Sequence, residues 1–405
     1  MSKKIAIIGG GAAGLAAACA IGKGAEVTIY ERNDRVGKKL LSTGNGRCNL
    51  VNTNLSPKQL KSENNNIIPR ILGTSAVSKI MTFFENLGLL MRIENEGRVY
   101  PLCNQASAVL DVLRYEAAEK GVKICCDFCI NKIIKKENGF LIYSKNGEQV
   151  YADIVILACG GMAAPKTGSD GIGYKLAKSL GHSVTTLSPA LVALKSDTAF
   201  TAPLKGIRCK AGIKLISKEG ELKAESGEIQ FTDYGISGIA AMQLSRHLKE
   251  DCRIVIDFAE EYNEDYILHR LKTASKKGRE AQELPLGIIQ KRIGQQIIKH
   301  ILAISPGMPA DKLSDFDLEK LAGAIKGLTL NVSGTLSFDN AQVTSGGIPL
   351  TEIEPETMAS RITDNLYIMG EMLDCDGECG GYNLGWAWIC ALRAADSINK
   401  ELSLC

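Results

Sequence analysis

The chain has 405 residues, of which 45% are hydrophobic and 23% charged, with a formal net charge of +3. This length suits two or three domains with a sizeable core, and the small net charge does not imply a basic nucleic-acid-binding surface. The 13 cysteines are scattered along the chain, which excludes a small disulfide-stapled scaffold and favours a reducing, cytoplasmic compartment.

The first elements are predicted to be a strand, a helix and a strand. The Ile-rich run KKIAIIG predicts a buried parallel strand, the Ala-rich GGAAGLAAACAIGKG a closely packed helix, and AEVTIYE a second strand. The apolar run at residues 5–21 follows two lysines, as in a signal peptide, but it leads into the second strand without a cleavage region. No other stretch reaches the ~18 apolar residues of a membrane span, so we expect neither a secretion signal nor a membrane anchor.

Further elements follow in the first half of the chain. Helical periodicity returns at residues 77–87 and 106–120, and residues 122–156 alternate as strands separated by polar turns. Three clustered thiols, Cys125, Cys126 and Cys129, lie in that strand region. A metal site would need a second Cys or His pair at ligand spacing, so we expect these thiols to pack in the core and expect no metal.

Composition changes near Ser188, Phe258 and Ala341. The stretch after Ser188 alternates as an antiparallel sheet does, the next is helical and charge-rich, and the last returns to an apolar strand and a helix. This order predicts an α/β domain built from both chain ends, with a β domain and a small helical domain inserted. The predicted bounds are 1–187 and 344–405 for the α/β domain, 188–260 and 331–343 for the β domain, and 261–330 for the helical domain.

A GxGxxG motif, formed by Gly9, Gly11 and Gly14, joins the first strand to the first helix, and Glu31 ends the second strand. Gly9 permits the tight turn, Gly11 lets the backbone approach a diphosphate, and Gly14 lets the helix lie against the strand. Glu31 can accept a hydrogen bond from a ribose hydroxyl, and the helix N-terminus favours phosphate. The complete pattern predicts a Rossmann-type site for an adenine dinucleotide.

The loop at residues 37–52, GKKLLSTGNGRCNLVN, favours FAD over NAD as that dinucleotide. An NAD dehydrogenase would usually continue with more strand–helix units, whereas a basic, glycine-containing loop can run along an extended cofactor. We expect Arg32, Lys38 and Lys39 near the diphosphate, and Asn45, Arg47 and Asn49 near the flavin. The alternative for each basic residue is an exposed surface charge.

Five motifs then occur in order: GGGAAG, GNGRCNL, EGRVYP, GEIQFTDYGISG and MGEMLDCDGECGGYN. Together they resemble a family of bacterial FAD-dependent flavoproteins that includes aminoacetone oxidase and 3-dehydro-bile acid Δ4,6-reductase. The resemblance implies a Rossmann-type FAD-binding domain made of both chain ends, an inserted barrel-like β domain and a small helical domain. It also implies that the loop GNGRCNL lies along FAD.

The resemblance further implies which residues contact FAD. Carried over by position, from the adenosine end to the flavin, they are Ala13, Gly14, Glu31, Arg32, Lys38, Asn45, Arg47, Asn49, Ala158, Gly160, Gly370, Glu371, Asp374, Gly380, Gly381, Tyr382 and Asn383, with Cys48 in the same loop. The helix after GGYN would direct its positive end at the flavin and stabilise the reduced, anionic form.

The activity that the resemblance implies is reduction of a conjugated 3-oxo-Δ4,6 enone of a bile acid or steroid. Hydride reaches one carbon and a proton its neighbour, and Tyr100, Tyr234 and Tyr382 are the candidate proton donors. For each tyrosine taken alone, the favoured interpretation is a structural role, with a buried ring and only the hydroxyl paired. We expect NAD(P)H as electron donor, although no second GxGxxG is present. We also expect a small-molecule substrate, no nucleic acid and no evident protein partner.

Three alternatives compete with this interpretation. The first is an amine oxidase of the aminoacetone type that uses oxygen. The second is an RNA-modifying or RNA-binding flavoprotein, for which the basic residues at 276–292 are balanced by acidic neighbours. The third, a flavin disulfide reductase, is disfavoured because Cys48 has no partner cysteine nearby in the early loop. Cys375 and Cys379 suit either a reactive pair or a glycine-loop filler.

Overall fold

A computed structural model describes residues Ser2 to Ser403, which form two compact units. One unit combines the residues up to Ser188 with those from Gln342 onward, so both ends of the chain build it. The other unit is Pro189–Ala341.

The strands and helices have the following bounds. The strands are β1 (Lys3–Ile8), β2 (Ala25–Tyr30), β3 (Val51–Asn52), β4 (Leu60–Lys61), β5 (Met91–Ile93), β6 (Arg98–Pro101), β7 (Lys123–Cys125), β8 (Ile130–Lys136), β9 (Gly139–Ser144), β10 (Gln149–Ala152), β11 (Ile154–Leu157), β12 (Ser188–Ala190), β13 (Leu194–Ser196), β14 (Arg208–Ser217), β15 (Gly220–Phe231), β16 (Gly235–Ser237), β17 (Arg253–Asp257), β18 (Leu328–Thr335), β19 (Val343–Ser345), β20 (Leu366–Ile368) and β21 (Asp376–Gly377). The helices are α1 (Ala12–Ala20), α2 (Lys38–Ser42), α3 (Ile68–Leu72), α4 (Ala76–Asn86), α5 (Ala106–Glu119), α6 (Ile172–Ser179), α7 (Thr198–Thr201), α8 (Ile239–Leu244), α9 (Glu264–Ser275), α10 (Lys291–Ile297), α11 (Asp315–Gly327) and α12 (Tyr382–Ser403).

The first unit is centred on a five-stranded parallel sheet with the order β20-β11-β1-β2-β7. Strand β1 is central, with Ile5 aligned to Ile154 of β11 on one side and to Val27 of β2 on the other. The carboxyl ends of parallel strands meet at one edge of the sheet, and ligands of such folds bind there. At this edge β1, β2 and β11 lead into the glycine turn, Glu31 and Ala158.

Helix α1 packs against α12, so the first and last helices of the chain are neighbours. The close approach suits the alanines of α1, of which Ala16, Ala17 and Ala18 are fully buried. In α12 the indole N–H of Trp386 donates to the carbonyl of Gly370 at 3.2 Å, and that of Trp388 to the carbonyl of Leu50 at 2.9 Å. These bonds fix α12 to two of the segments predicted to bind the cofactor.

Smaller sheets complete the first unit. Strands β8, β9 and β10, which lie between β7 and β11 in the sequence, form an antiparallel sheet. Strands β3, β6 and β5 form another. Strand β4 pairs with β21, so that Lys61 lies opposite Asp376. This last pairing joins an early loop to the motif near the C-terminus.

The second unit is a closed antiparallel barrel with the order β13-β16-β15-β14-β17-β18. Its longest pairing joins β14 to β15. Leu271 of α9 and Leu321 of α11 belong to the same apolar cluster as Ile254 of β17. The barrel and the helices of this unit therefore share one hydrophobic core. Between Ser2 and Ser403, no helix combines the length and apolarity needed to span a membrane.

His182, after α6, is a buried titratable group in the first unit, with Nδ1 at 2.8 Å from Glu352 Oε2 and Nε2 at 2.8 Å from Ser360 Oγ. Burial lowers the pKa of His182 because the charged imidazolium is desolvated, and Glu352 only partly opposes this shift. The unfolded chain therefore takes up this proton more readily than the folded one. We expect stability to fall as the pH drops below the ordinary histidine pKa of ~6.5.

Denaturant unfolding measured at intervals between about pH 8 and pH 5 checks this expectation. The variant H182Q should lose less stability than the wild-type protein between the two ends of that range. Equal losses in both proteins would contradict the assignment to His182.

Candidate dinucleotide-binding cleft

A cleft opens at the carboxyl edge of the parallel sheet. Its empty space is ≈ 1300 Å³, part of it open to solvent. Its lining includes the glycine turn after β1, Glu31 after β2, and Glu371 and Asn383 near the C-terminus. The predicted cofactor residues that line it are Gly9, Gly11, Ala13, Glu31, Arg32, Lys38, Ala158, Gly160, Glu371 and Asn383.

The glycine turn between β1 and α1 forms the middle of the cleft. Gly9 has a φ of 108°, and a Cβ there would lie 2.5 Å from the carbonyl oxygen of Ala158. Gly14 does not line the cleft, because it faces β1, where an added Cβ would lie 2.0 Å from the carbonyl oxygen of Gly9. Gly11 is the N-cap of α1, and an added Cβ would meet nothing within 4 Å. The turn thus presents open space and the unpaired N–H groups of the first helical turn.

Glu31 is a buried carboxylate at the end of β2, only 6% exposed. Its Oε2 accepts a hydrogen bond from the N–H of Gly10 at 2.8 Å, and its Oε1 accepts two from Asn33, at 2.9 and 2.7 Å. A carboxylate offers about four acceptor positions. Glu31 is therefore held in place and retains capacity for a ligand hydroxyl.

The cations near the turn are already paired. Arg32 forms an ion pair with Asp170, Lys38 with Asp34 at 2.6 Å, and Lys39 with Glu371 at 2.7 Å. The sequence suggested that these three cations serve a diphosphate directly. Each of the three cations therefore has a carboxylate partner within the protein.

The loop at residues 44–50 departs from the expectation that all its polar side chains face the cofactor. Asn45 has a φ of 55° and is exposed. The guanidinium of Arg47 lies 4.0 Å from the centroid of the Tyr100 ring and forms hydrogen bonds with Glu94 and Asn104. Neither Asn45 nor Arg47 lines the cleft. The ion pair of Arg47 with Glu94 accounts for its position.

Asn49 lies where this loop meets the start of α12. Its residue exposure is 8%, and its Oδ1 is a buried atom with no hydrogen-bond partner among the described residues. A Cβ on Gly381 would lie 2.7 Å from this oxygen. Nearby, Asn52 Nδ2 donates to the carbonyl of Gly380 at 2.9 Å. The structure thus brings the two motifs GNGRCNL and GGYN together.

Three other predicted residues form hydrogen bonds within the protein. The carbonyl of Gly370 accepts the Trp386 bond described above. Asp374 is 3% exposed, and its Oδ2 accepts hydrogen bonds from Ser62 Oγ at 3.0 Å and from the N–H of Glu63 at 2.8 Å. Burial raises the pKa of Asp374, although these hydrogen bonds oppose it. The side chain of Asn383 bonds to the backbone of Gly377, so Asn383 shapes the loop before α12.

Cys48 is fully buried, has a φ of 60° and does not line the cleft. Burial raises the pKa of its thiol to about 12, so the reactive thiolate is scarce. We expect iodoacetamide to modify the exposed Cys103 of the native protein and to spare Cys48, as measured by peptide mass spectrometry. Rapid labelling of native Cys48 would show that this thiol is accessible.

The three candidate tyrosines occupy different places. Tyr382 begins α12, directly before Asn383, and burial followed by the charge of Glu378 raises its pKa. Tyr100 lies in β6 with one ring face covered by Arg47. Tyr234 lies in the turn between β15 and β16 of the second unit. None of the three lines the cleft, and Tyr382 is next in sequence to a residue that does.

The cleft also contains residues that the sequence did not single out. Phe128 and Ile130 lie near the end of β2, and the Phe128 ring is 4.8 Å from that of Tyr30. Cys159 lies after β11, and burial raises the pKa of its thiol to about 12. These residues belong to a β insertion and a loop without a recognisable motif. Their position in the cleft is therefore visible only in the folded structure.

Comparison with known proteins identifies the family. The description "HI0933-like protein Rossmann domain" matches residues 3–397. The chain belongs to the HI0933-like family. This membership and the folded structure confirm both the resemblance and the predicted fold class, a Rossmann-type domain with an inserted antiparallel barrel and helices.

The chain is also similar to two named relatives and to one solved structure. The 3-dehydro-bile acid delta(4,6)-reductase of Clostridium scindens is 37% identical over 396 residues, covering 95% of this chain and 96% of the relative. A ribosomal RNA dihydrouridine synthase of Haemophilus influenzae is 27% identical over 406 residues, covering 98% of each. The 3-ketosteroid-delta4-(5alpha)-dehydrogenase of Rhodococcus jostii shares the fold, with a TM-score of 0.51, 13% identity, and coverage of 98% and 97%.

Proposed function

We propose that this protein is an FAD-dependent oxidoreductase that reduces a carbon–carbon double bond conjugated to a carbonyl group. The proposed substrate is a 3-oxo-Δ4,6 bile acid or a similar steroid enone, and the proposed electron donor is NAD(P)H. The observation that carries the proposal is the 37% identity, over 95% of the chain, with a protein named as a bile acid delta(4,6)-reductase.

The cleft, together with Asn49 beside the start of α12, supports FAD by its geometry. Gly11 leaves open space at the N-terminus of α1, Glu31 offers free acceptor positions, and Asn49 Oδ1 is buried without a partner among the described residues. Glu31 and Arg32 would hold the adenosine end, the backbone of residues 9–13 the diphosphate, and Glu371, Asn383 and Asn49 the flavin half.

FAD, when bound, supplies hydride transfer. The contribution of the protein is to position the enone, exclude water and deliver a proton beside the reduced carbon. Tyr382 is the strongest proposed donor of the three tyrosines, because it adjoins the cleft residue Asn383.

The variant Y382F tests this role. We expect enone reduction to slow by about 100-fold, a typical contribution of a general acid. The affinity for FAD should stay within about twofold of the wild-type value. Stopped-flow measurement of the two half-reactions separates these effects. Equal enone reduction by Y382F and the wild-type protein would exclude Tyr382 as the donor.

The proposed activity is tested with purified, FAD-loaded protein. One reaction contains a 3-oxo-4,6-diene bile acid with NADH or NADPH, and a second contains aminoacetone with oxygen. The proposal predicts a product with two more hydrogens in the first reaction only. Hydrogen peroxide and amine oxidation in the second reaction, with no enone reduction, would favour the oxidase alternative.

A second candidate function is reduction of uracil in ribosomal RNA. It is favoured by the relatives named ribosomal RNA dihydrouridine synthase, which match 98% and 97% of this chain at 27% and 26% identity. Both names describe the addition of two hydrogens to a double bond, so one site chemistry suits either substrate. Incubation with unmodified ribosomal RNA and NAD(P)H, followed by mass spectrometry of nucleosides, distinguishes them: dihydrouridine formation without enone reduction would replace the proposed substrate.

A further inference from the structure

The ion pair between Lys39 and Glu371 joins α2 to the segment before β21, residues 332 positions apart in the sequence. The Nζ of Lys39 lies 2.7 Å from Glu371 Oε2, and both residues line the cleft. The two side chains are about one quarter exposed, at 26% and 21%. The pair is therefore part of the cleft wall and is not an isolated surface contact.

Other contacts hold Glu371 in the same orientation. Its Oε1 accepts a hydrogen bond from the N–H of Thr344 at 3.0 Å, and its backbone carbonyl accepts one from the hydroxyl of Tyr174 at 3.3 Å. A Cβ on Gly161 would lie 3.0 Å from Oε1. Lys39 supplies the only cation in this set of contacts, and it holds the Oε2 atom of Glu371.

The neighbouring lysine behaves differently. Lys38 pairs with Asp34 one helical turn away, and that aspartate side chain is 66% exposed. The Lys38 pair is local, whereas Lys39 reaches across to another segment of the cleft. Gly370, adjacent to Glu371, lies close to Ala13 of α1, since a Cβ on Gly370 would be 3.2 Å from the Ala13 Cβ. Glu371 therefore follows directly after a residue that packs against α1.

We infer that Lys39 is a positioning residue that acts through Glu371 and does not itself bind the diphosphate. It holds Glu371 Oε2 in place, so that the remaining acceptor positions of this carboxylate can meet hydroxyl groups of the flavin half of FAD. This inference rests on the proposed function, because it concerns FAD. It differs from the sequence-based expectation that Lys39 contacts the diphosphate directly.

The test measures ligand binding to the apoprotein, with FAD followed by quenching of its fluorescence and ADP by competition. We expect K39M to weaken FAD binding by about tenfold and to leave ADP binding unchanged, because ADP lacks the flavin half. The matched control is K79M, which removes an exposed lysine on α4 outside the cleft and should bind both ligands as the wild-type protein does. Thermal unfolding of each variant verifies that it is folded.

A double-mutant cycle with E371Q separates the two possible roles. If Lys39 acts through Glu371, adding K39M to E371Q changes FAD affinity by less than about twofold. Equal weakening of ADP and FAD binding by K39M, or a full tenfold effect in the E371Q background, would overturn the inference. Unchanged FAD binding by K39M would overturn the role of Lys39 and leave the proposed function standing. A wild-type protein that binds no FAD would overturn both.

Discussion

Replacement of Gly11 by alanine is expected to leave the fold intact and to abolish tight FAD binding. An alanine fits the backbone there, because φ is −84° and an added Cβ meets nothing within 4 Å. The same methyl group would occupy the space through which the backbone approaches a diphosphate. We expect the FAD dissociation constant to rise on the order of 100-fold, or about 2.7 kcal/mol, measured by titration of the apoprotein.

Denaturant unfolding of the apoprotein provides the control for this prediction. The stability of G11A should stay within about 1 kcal/mol of the wild-type value, the usual cost of losing a glycine N-cap. A variant that binds FAD with wild-type affinity would show that no ligand group approaches Gly11.

Replacement of Gly14 by alanine should, unlike replacement of Gly11, destabilise the fold itself. Its Cβ would lie 2.0 Å from the carbonyl oxygen of Gly9 and 3.2 Å from Ile7 Cγ2, so α1 must move away from β1. Overpacking of this kind usually costs about 1–3 kcal/mol and sometimes more. We expect G14A to lose stability even without cofactor and, because the turn moves with α1, to lose FAD binding too.

Urea unfolding of apo-G14A beside apo-G11A measures the difference directly. A lower midpoint for G14A alone supports the two separate roles of these glycines. Wild-type stability in apo-G14A would contradict the close approach of α1 to β1.

The local elements of the fold could be predicted from the sequence. The helices expected at residues 77–87 and 106–120 correspond to α4 (Ala76–Asn86) and α5 (Ala106–Glu119). The glycine motif identified the β1–α1–β2 unit because its spacing reflects a turn that lacks room for side chains at Gly9 and Gly14. At Gly14 the close neighbours are Gly9 and Ile7, which lie within a few residues, whereas at Gly9 the neighbour is the distant Ala158.

Contacts between distant segments could not be predicted in the same way. The sequence contained several lysines and arginines suited to a diphosphate, but it could not reveal that Arg32 pairs with Asp170 or Lys39 with Glu371. It also did not indicate that Arg47 would stack on Tyr100. These partners lie far apart in sequence, and the fold alone decides which charge meets which.

The shared core of the second unit is a further example. Alternation and charge distinguished β strands from helices, yet the pattern gave no sign that Leu271 and Leu321 would pack with Ile254. An apolar helix face shows that it is buried but does not identify its partner.

The most direct test of the account is a single turnover without oxygen. Protein reconstituted with FAD is reduced chemically, freed of excess reductant and mixed with a 3-oxo-4,6-diene bile acid while flavin absorbance is followed. We expect one FAD per chain, rapid return of the oxidised flavin spectrum and a product that has gained two hydrogens. A protein that retains no FAD, or a reduced flavin that persists in the presence of the enone, would contradict it.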